Sequence, residues 1–248
     1  MNILLLSAGG PTAHGAIKSL RDINFDGKIV SIDSNPLSAG FYLSDSYHIV
    51  PKAFEDGYIE EIWKIINKEN IDLILPTSSN DIVTISKNSH LFEGKLFMSD
   101  YEAINICSDK LKFYEKCKDK FPLPKTSMDY NDIEYPLFAK PKEHSAGSRG
   151  ISLCKTIHNV NCLNSSKYKY IYQEYLPGME YTIDVLCDMD SNPLVIVPRE
   201  RLQTKAGISS KGRIVRNDFI EKSCFDICKF LNLKGPICLQ MKKDVNGK

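Results

Sequence analysis

Over the first hundred residues, short apolar runs alternate with longer stretches whose apolar positions recur at helical spacing. Ile3–Leu6, Lys28–Ile32, Tyr47–Val50, Asp72–Leu75 and Lys95–Met98 read as strands, while Ala13–Leu20, Tyr58–Lys68 and Asp81–His90 read as helices. This strand–helix rhythm predicts an open, mostly parallel sheet with helices on both faces. A helix follows from Asp109 to Lys118 with Ser108 as its N-cap, and Phe121-Pro122-Leu123-Pro124 ends it. From Tyr135 the pattern changes to strands joined by tight turns, at 136–140, 150–154, 170–175, 180–187 and 194–200. A second amphipathic helix puts Ile220, Cys224, Ile227, Cys228 and Leu231 on one face, and Ile237–Lys243 closes the pattern as a strand.

The switch in pattern predicts two domains, 1–105 and 106–248, and a chain of 248 residues is long enough to give each its own core. Hydrophobic residues at 42% and charged residues at 25% suit a globular protein. A net charge of +1 supplies no global field toward nucleic acid or an anionic membrane, so neither is expected as a partner. A phosphate ligand would need a local site. No segment reaches the roughly 18 consecutive apolar residues of a membrane span. The start, Met1-Asn2-Ile3-Leu4-Leu5-Leu6, lacks the basic region of a signal peptide and reads as a buried first strand. Eight cysteines occur with no C-x-x-C pair, which points to free thiols and a cytoplasmic location.

Three segments carry candidate chemistry. Lys140 ends a strand in Phe138-Ala139-Lys140-Pro141, and the Ser/Gly-rich stretch Ser145-Ala146-Gly147-Ser148-Arg149-Gly150 follows it. A phosphate-binding loop of the Walker type has its lysine after the glycines, opening a helix. Here the lysine precedes the loop and a strand follows, which describes a β-hairpin flap with backbone N–H donors and a lysine point charge. The third segment, Gln173-Glu174-Tyr175-Leu176-Pro177-Gly178-Met179-Glu180, leads into a strand with Tyr181, Ile183, Val185 and Cys187 on one face. Glu180, Thr182 and Asp184 fall on the other, a spacing suited to ribose hydroxyls or a metal. The first turn, Ser7 to Gly15, does not fit the G-x-G-x-x-G spacing of a dinucleotide fold, so NAD binding rests on Asp33 alone.

With these segments in this order the chain resembles the ATP-grasp superfamily, most closely the carbamoyl-phosphate-synthase large-subunit-like ligases. The resemblance rests on Ser108-Asp109-Lys110, Ala139-Lys140-Pro141, Ser145–Gly150, Gln173 to Leu176 with Gly178 and Glu180, and Gly235 to Gln240. It implies a Rossmann-like pre-ATP-grasp domain followed by an α+β ATP-grasp domain. Lys110 and Lys140 would bind phosphates, with Ser145, Gly147, Ser148 and Gly150 closing over them. Gln173, Glu174, Tyr175 and the Leu176 backbone would form the adenine strand, and Glu180 would meet the ribose. Gln240 would be a ligand to magnesium or manganese. Of Arg199, Arg201, Lys205, Lys211 and Arg213, which flank a 207–212 loop, Arg201 would meet the transferred phosphoryl group.

The resemblance also implies a second metal-ligand set, a Glu and an Asn-Pro-Arg on the strand after Gln240. This sequence has neither, and Asn246-Gly247 is a hairpin signal with no returning strand. The expectation is therefore an ATP-grasp domain incomplete at its C-terminus. Its last strand would lie at a sheet edge, and its turnover alone would be weak or absent. The implied reaction is ATP-dependent joining of a small carboxylate to an amine or ammonia through an acyl phosphate. A non-catalytic nucleotide- or partner-binding module of the same fold is the alternative, and an NAD-linked oxidoreductase is the third reading. A homodimer, or pairing with a missing C-terminal segment, belongs to the same expectation.

Overall fold

The protein is described by a computed structural model covering residues 1–143, 150–163, 165–205 and 207–247, with Ile208 described by its backbone alone. The chain forms two units, Met1–Ile104 and Asn105–Lys248.

The first unit is built on a parallel sheet of β1 (Ile3–Leu5), β2 (Ile29–Asp33), β3 (Ser46–Ile49) and β4 (Leu73–Leu75), in the order β3-β2-β1-β4. Its helices are α1 (Pro11–Asp22), α2 (Tyr58–Glu69) and α3 (Ser79–Lys87). The central strand is apolar throughout because both of its faces are covered. Leu4 and Leu6 join a core with Ile62, Ile66 and Ile85, whereas Ile3 and Leu5 pack with Ile17 and Ile29. The expected fifth strand over Lys95–Met98 does not form. Leu96 makes a single parallel bridge to Ile74, and β4 is itself only three residues long, so little ladder is available there.

α4 (Tyr101–Ser108) precedes α5 (Lys110–Cys117). The cap of α5 is Asp109, not Ser108: its carboxylate accepts from the N–H groups of Leu111 and Lys112 at 2.9 and 3.1 Å. Ser108 is consumed as the last residue of α4.

The second unit holds two antiparallel sheets. The first consists of β5 (Thr126–Ser127), β6 (Leu137–Pro141), β7 (Ser152–Cys154) and β8 (Tyr170–Glu174), ordered β5-β8-β6-β7. A short helix, α6 (Ile157–Asn161), follows β7. The second sheet contains β9 (Glu180–Cys187), β10 (Pro193–Lys205), β11 (Ile208–Ile214) and β12 (Gly235–Lys242), ordered β11-β10-β9-β12. The stretch read as a loop over 207–212 is instead the start of β11, paired with an extended β10. Both strands are polar on each face there, so no alternation announces them.

The apolar face of β9 (Tyr181, Ile183, Val185, Cys187) is buried, and α7 (Asp218–Phe230) packs on this sheet with Ile220, Cys224, Ile227 and Cys228 buried. That leaves the Glu180–Thr182–Asp184 face for polar work. β12 is an edge strand, and the turn after it closes from Asp244 to Gly247, whose N–H (φ +79) donates to the Asp244 carbonyl; Val245 and Asn246 hold its central positions, one residue earlier than the Asn246-Gly247 turn expected. The fold class is therefore a parallel-sheet domain followed by an antiparallel α+β domain.

Candidate functional site

The site starts where α5 meets the end of β6. The Lys110 backbone N–H donates to the Lys142 carbonyl at 3.1 Å, and Asp109 bridges to Glu143. The Lys142 ammonium lies 2.8 Å from the Asp109 carboxylate, whose side chain is 3% exposed. Burial alone would raise the Asp109 pKa, but Lys142 and the two helix N–H groups outweigh it and hold it below the usual value. This clamp brings Lys110 to β6, where its ammonium donates to the Pro141 carbonyl at 2.9 Å. Burial is also the main reason the Lys110 pKa is lowered, against the charges of Asp109 and Glu143.

Lys140 is the central cation. Its ammonium donates to Gln173 Oε1, and Gln173 Nε2 donates in turn to Thr126 Oγ1 at 2.9 Å, which fixes the amide's orientation. Burial, then the like charge of Lys110, then that of Lys242 pull its pKa down to about 8, with Glu180 opposing. The same ammonium stands 5.6 Å from the Phe138 ring centroid. Lys140 and Phe138 alternate onto one face of β6, and register puts Gln173 and Leu153 opposite Phe138. Beyond Phe138 the face opens into a recess of about 420 Å³ lined by Tyr135, Pro136, Leu153, Lys155 and Tyr175. Ammonium groups thus stand at one end and a largely apolar hollow at the other.

The second sheet contributes its polar face. Register sets Glu180 opposite Lys242 and Thr182 opposite Gln240 and Arg199. Arg201 Nη1 donates to Glu180 Oε1 at 2.5 Å, the Gln240 amide donates to the same oxygen, and Arg201 Nη2 donates to the Gly207 carbonyl at 2.6 Å. The Arg201 side chain is 9% exposed, and its Nε has no hydrogen-bond partner among the described residues. Arg199 is taken up by a two-point pair with Asp184, Arg213 pairs with Glu200, and Lys205 and Lys211 are exposed.

Lys110, Lys140, Gln173, Tyr175, Glu180, Arg201 and Gln240 thus lie in one region of the second unit. Glu174 is turned away: its N–H and its carboxylate both engage the Lys125 backbone, at 2.9 and 3.2 Å. Leu176 is half-buried just beyond β8. Ser145, Gly147 and Ser148 lie outside the described residues. Gly150 is described, at φ +74, and a Cβ there would meet Tyr168 and Pro141 at 2.8 and 2.9 Å, so only glycine fits. Sequence reasoning missed Lys242, whose ammonium lies 5.7 Å from the Phe138 centroid and 5.4 Å from that of Tyr175. The period of two from Gln240 along β12 is the signal that would have found it.

Residues 107–237 match the family model described as the ATP-grasp domain. The chain belongs to the ATP-grasp family. Residues 3–96 match the PylC-like, N-terminal domain. Among curated relatives, the carbamoyl phosphate synthase large chain of Campylobacter jejuni is 26% identical over 238 residues, covering 80% of this chain and 21% of the relative. The arginine-specific large chain of Halalkalibacterium halodurans is 23% identical over 193 residues, covering 71% of this chain and 18% of its own length. The chain therefore spans about a fifth of these relatives. Among solved structures, N5-carboxyaminoimidazole synthetase from Staphylococcus aureus, complexed with ADP, aligns with TM-score 0.75 at 14% identity. That alignment covers all of this chain and 68% of the synthetase. L-amino acid ligase from Bacillus licheniformis aligns with TM-score 0.74 at 12% identity, over 100% of this chain and 64% of that one. These likenesses establish the ATP-grasp fold. No helix among the described residues is long and apolar enough to cross a membrane.

Proposed function

We propose that this chain is an ATP-dependent carboxylate–amine (or ammonia) ligase working through an acyl phosphate, or the ATP-binding portion of one. The observation that carries the reading is the first sheet's face, with the Lys110 and Lys140 ammonium groups at one end and an apolar recess at the other. That polarity matches a nucleotide, whose phosphates need fixed cations and whose base packs on rings and apolar side chains.

In the proposed reaction a carboxylate oxygen attacks the γ-phosphorus of ATP and ADP leaves. An amine then attacks the acyl carbon, phosphate departs, and the amine nitrogen loses a proton. Lys140 and Lys110 hold the phosphates in line and offset their charge. The buried N–H of Arg201, spare beside Glu180 and Gly207, is the donor we assign to the transferred phosphoryl. The base lies against Tyr175 and the backbone that follows β8, and Glu180 faces the sugar.

No group of three or more His, Cys, Asp or Glu side chains able to hold a metal occurs among the described residues. Gln240 directs its amide N–H₂ to Glu180, which leaves its carbonyl oxygen as a hard ligand. Such a donor set fits a magnesium or manganese ion brought in on the phosphates, with Gln240 as a protein ligand. When bound, that ion would supply positive charge that offsets the charge of the phosphates.

The same sparse donor set favours a second reading, a non-catalytic nucleotide-binding module of the ATP-grasp fold. Two measurements decide. Mg-ATP titrated calorimetrically into the chain is expected to bind in the micromolar to millimolar range, and Lys140→Ala to weaken it by about 10- to 100-fold. Failure of either result removes the nucleotide reading. ADP release that depends on an added carboxylate separates ligase from module.

A further inference from the structure

We propose that Lys242 is a third nucleotide-binding cation, assigned to the phosphate nearest the sugar, so that it selects nucleotides over nucleosides. This rests on the nucleotide reading of the second unit and deepens it.

Along the face of the first sheet the order is Lys140, Phe138, then the recess that Tyr175 helps to line. Lys140 reaches the near end, 5.6 Å from the Phe138 centroid. Lys242 reaches the same ring at 5.7 Å, and it also reaches Tyr175 at 5.4 Å. The two rings are themselves 5.4 Å apart, so the one ammonium of Lys242 reaches both the ring beside Lys140 and the ring that lines the recess. In a nucleotide whose base fills the recess and whose outer phosphates reach Lys140, that station belongs to the sugar and its own phosphate.

The station is built rather than incidental. Lys242 is placed by its register opposite Glu180, and the next residue, Lys243, exchanges backbone hydrogen bonds with Gly178 and Met179, each at 3.0 Å. A Cβ on Gly178 would meet the Lys243 side chain at 2.6 Å, so the glycine permits this close approach of the β8–β9 link to β12. Charge points the same way. Lys140 feels the like charges of Lys110 and Lys242 against the single opposing charge of Glu180, which Arg201 already neutralises. An anion is the ligand that such a surplus of positive charge favours.

The test compares ADP with adenosine on the full chain, by calorimetry or ligand-observed NMR, for wild type, Lys242→Met, Lys242→Arg and Lys140→Ala. Expected is a loss of ADP affinity of about five- to tenfold in Lys242→Met, with adenosine changed by less than about twofold and Lys242→Arg close to wild type. If Lys242→Met leaves ADP unchanged, or weakens adenosine by the same factor, Lys242 only packs on the rings and the proposal falls. Should Lys242→Met lose the wild-type circular dichroism spectrum, Lys242→Gln takes its place under the same criteria. Lys140→Ala separates the two levels. Loss of ADP binding there, with Lys242→Met unchanged, refutes this inference and leaves the nucleotide reading standing. A wild type that binds no ADP overturns both.

Discussion

A lysine that titrates near pH 8 gives the proposed nucleotide site a pH signature. The Lys140 pKa is lowered to about 8 by burial and by the neighbouring charges of Lys110 and Lys242. A bound polyphosphate stabilises the ammonium form, so its pKa is higher in the complex than in the free protein. Below pH 8 the free protein already carries the proton, and affinity is flat. Above it, binding must take up a proton, and affinity falls by up to about tenfold per pH unit until the pKa of the complex is reached. Calorimetry between pH 7 and 9.5, in buffers of different ionisation enthalpy, should show that uptake; Lys140→Met should abolish it. Lys140 itself was legible in the sequence, because a lysine at a strand end before a glycine-rich stretch is a local pattern. The Arg201–Glu180–Gln240 contacts and the position of Lys242 were not, because they depend on how β9, β10 and β12 pair. Register between strands separated by dozens of residues is set by tertiary packing, which no local spacing records.

At the scale of elements, the α5–β6 junction is what makes two distant lysines neighbours, and Asp109 secures it. Its carboxylate caps α5 through Leu111 and Lys112 and pairs with Lys142 at 2.8 Å. Asp109→Ala removes the cap and leaves Lys142 without this partner, and should cost about 1–3 kcal/mol in urea unfolding. Asp109→Asn keeps an acceptor for the cap and should cost less. Because the folded pKa of Asp109 is depressed, its ionic contribution is complete above the ordinary carboxylate value of about 3.9 and is lost as pH falls through the lower, folded value. The acid limb of the stability curve should accordingly be shallower for Asp109→Asn than for wild type. An identical acid limb in both proteins would mean that the Lys142 pair contributes nothing. The sequence pointed to the cap one residue early, since Ser108 and Asp109 are equally good cap residues. Only the presence of α4, ending at Ser108, assigns the role to Asp109. The alternation in β9 was readable because one of its faces is buried. β11 was hidden because polar residues on both faces of a hairpin leave no period to detect.

For the whole molecule, residue placement supplies two separate reporters. Trp63 is the single tryptophan and lies in the first unit, 6.0 Å from the buried ring of Phe92. All eight cysteines, from Cys107 to Cys238, lie in the second, where Cys117, Cys154, Cys187, Cys224 and Cys228 are buried. Trp63 fluorescence therefore follows unfolding of the parallel-sheet unit, and labelling of the buried thiols follows unfolding of the antiparallel one. Every contact proposed for the nucleotide belongs to the second unit. ADP at about 100 times its Kd stabilises the state that binds it by about 2.7 kcal/mol. In urea this moves a midpoint by about 1–2 M for a unit of this size. The expected result is a shift of that order in thiol exposure, with a smaller shift in the Trp63 transition, since each unit has its own core. Equal shifts would show that the two units unfold as one cooperative body. A shift confined to Trp63 would place the nucleotide in the first unit, on the Asp33 edge of the parallel sheet, and would remove Lys140 from the binding site.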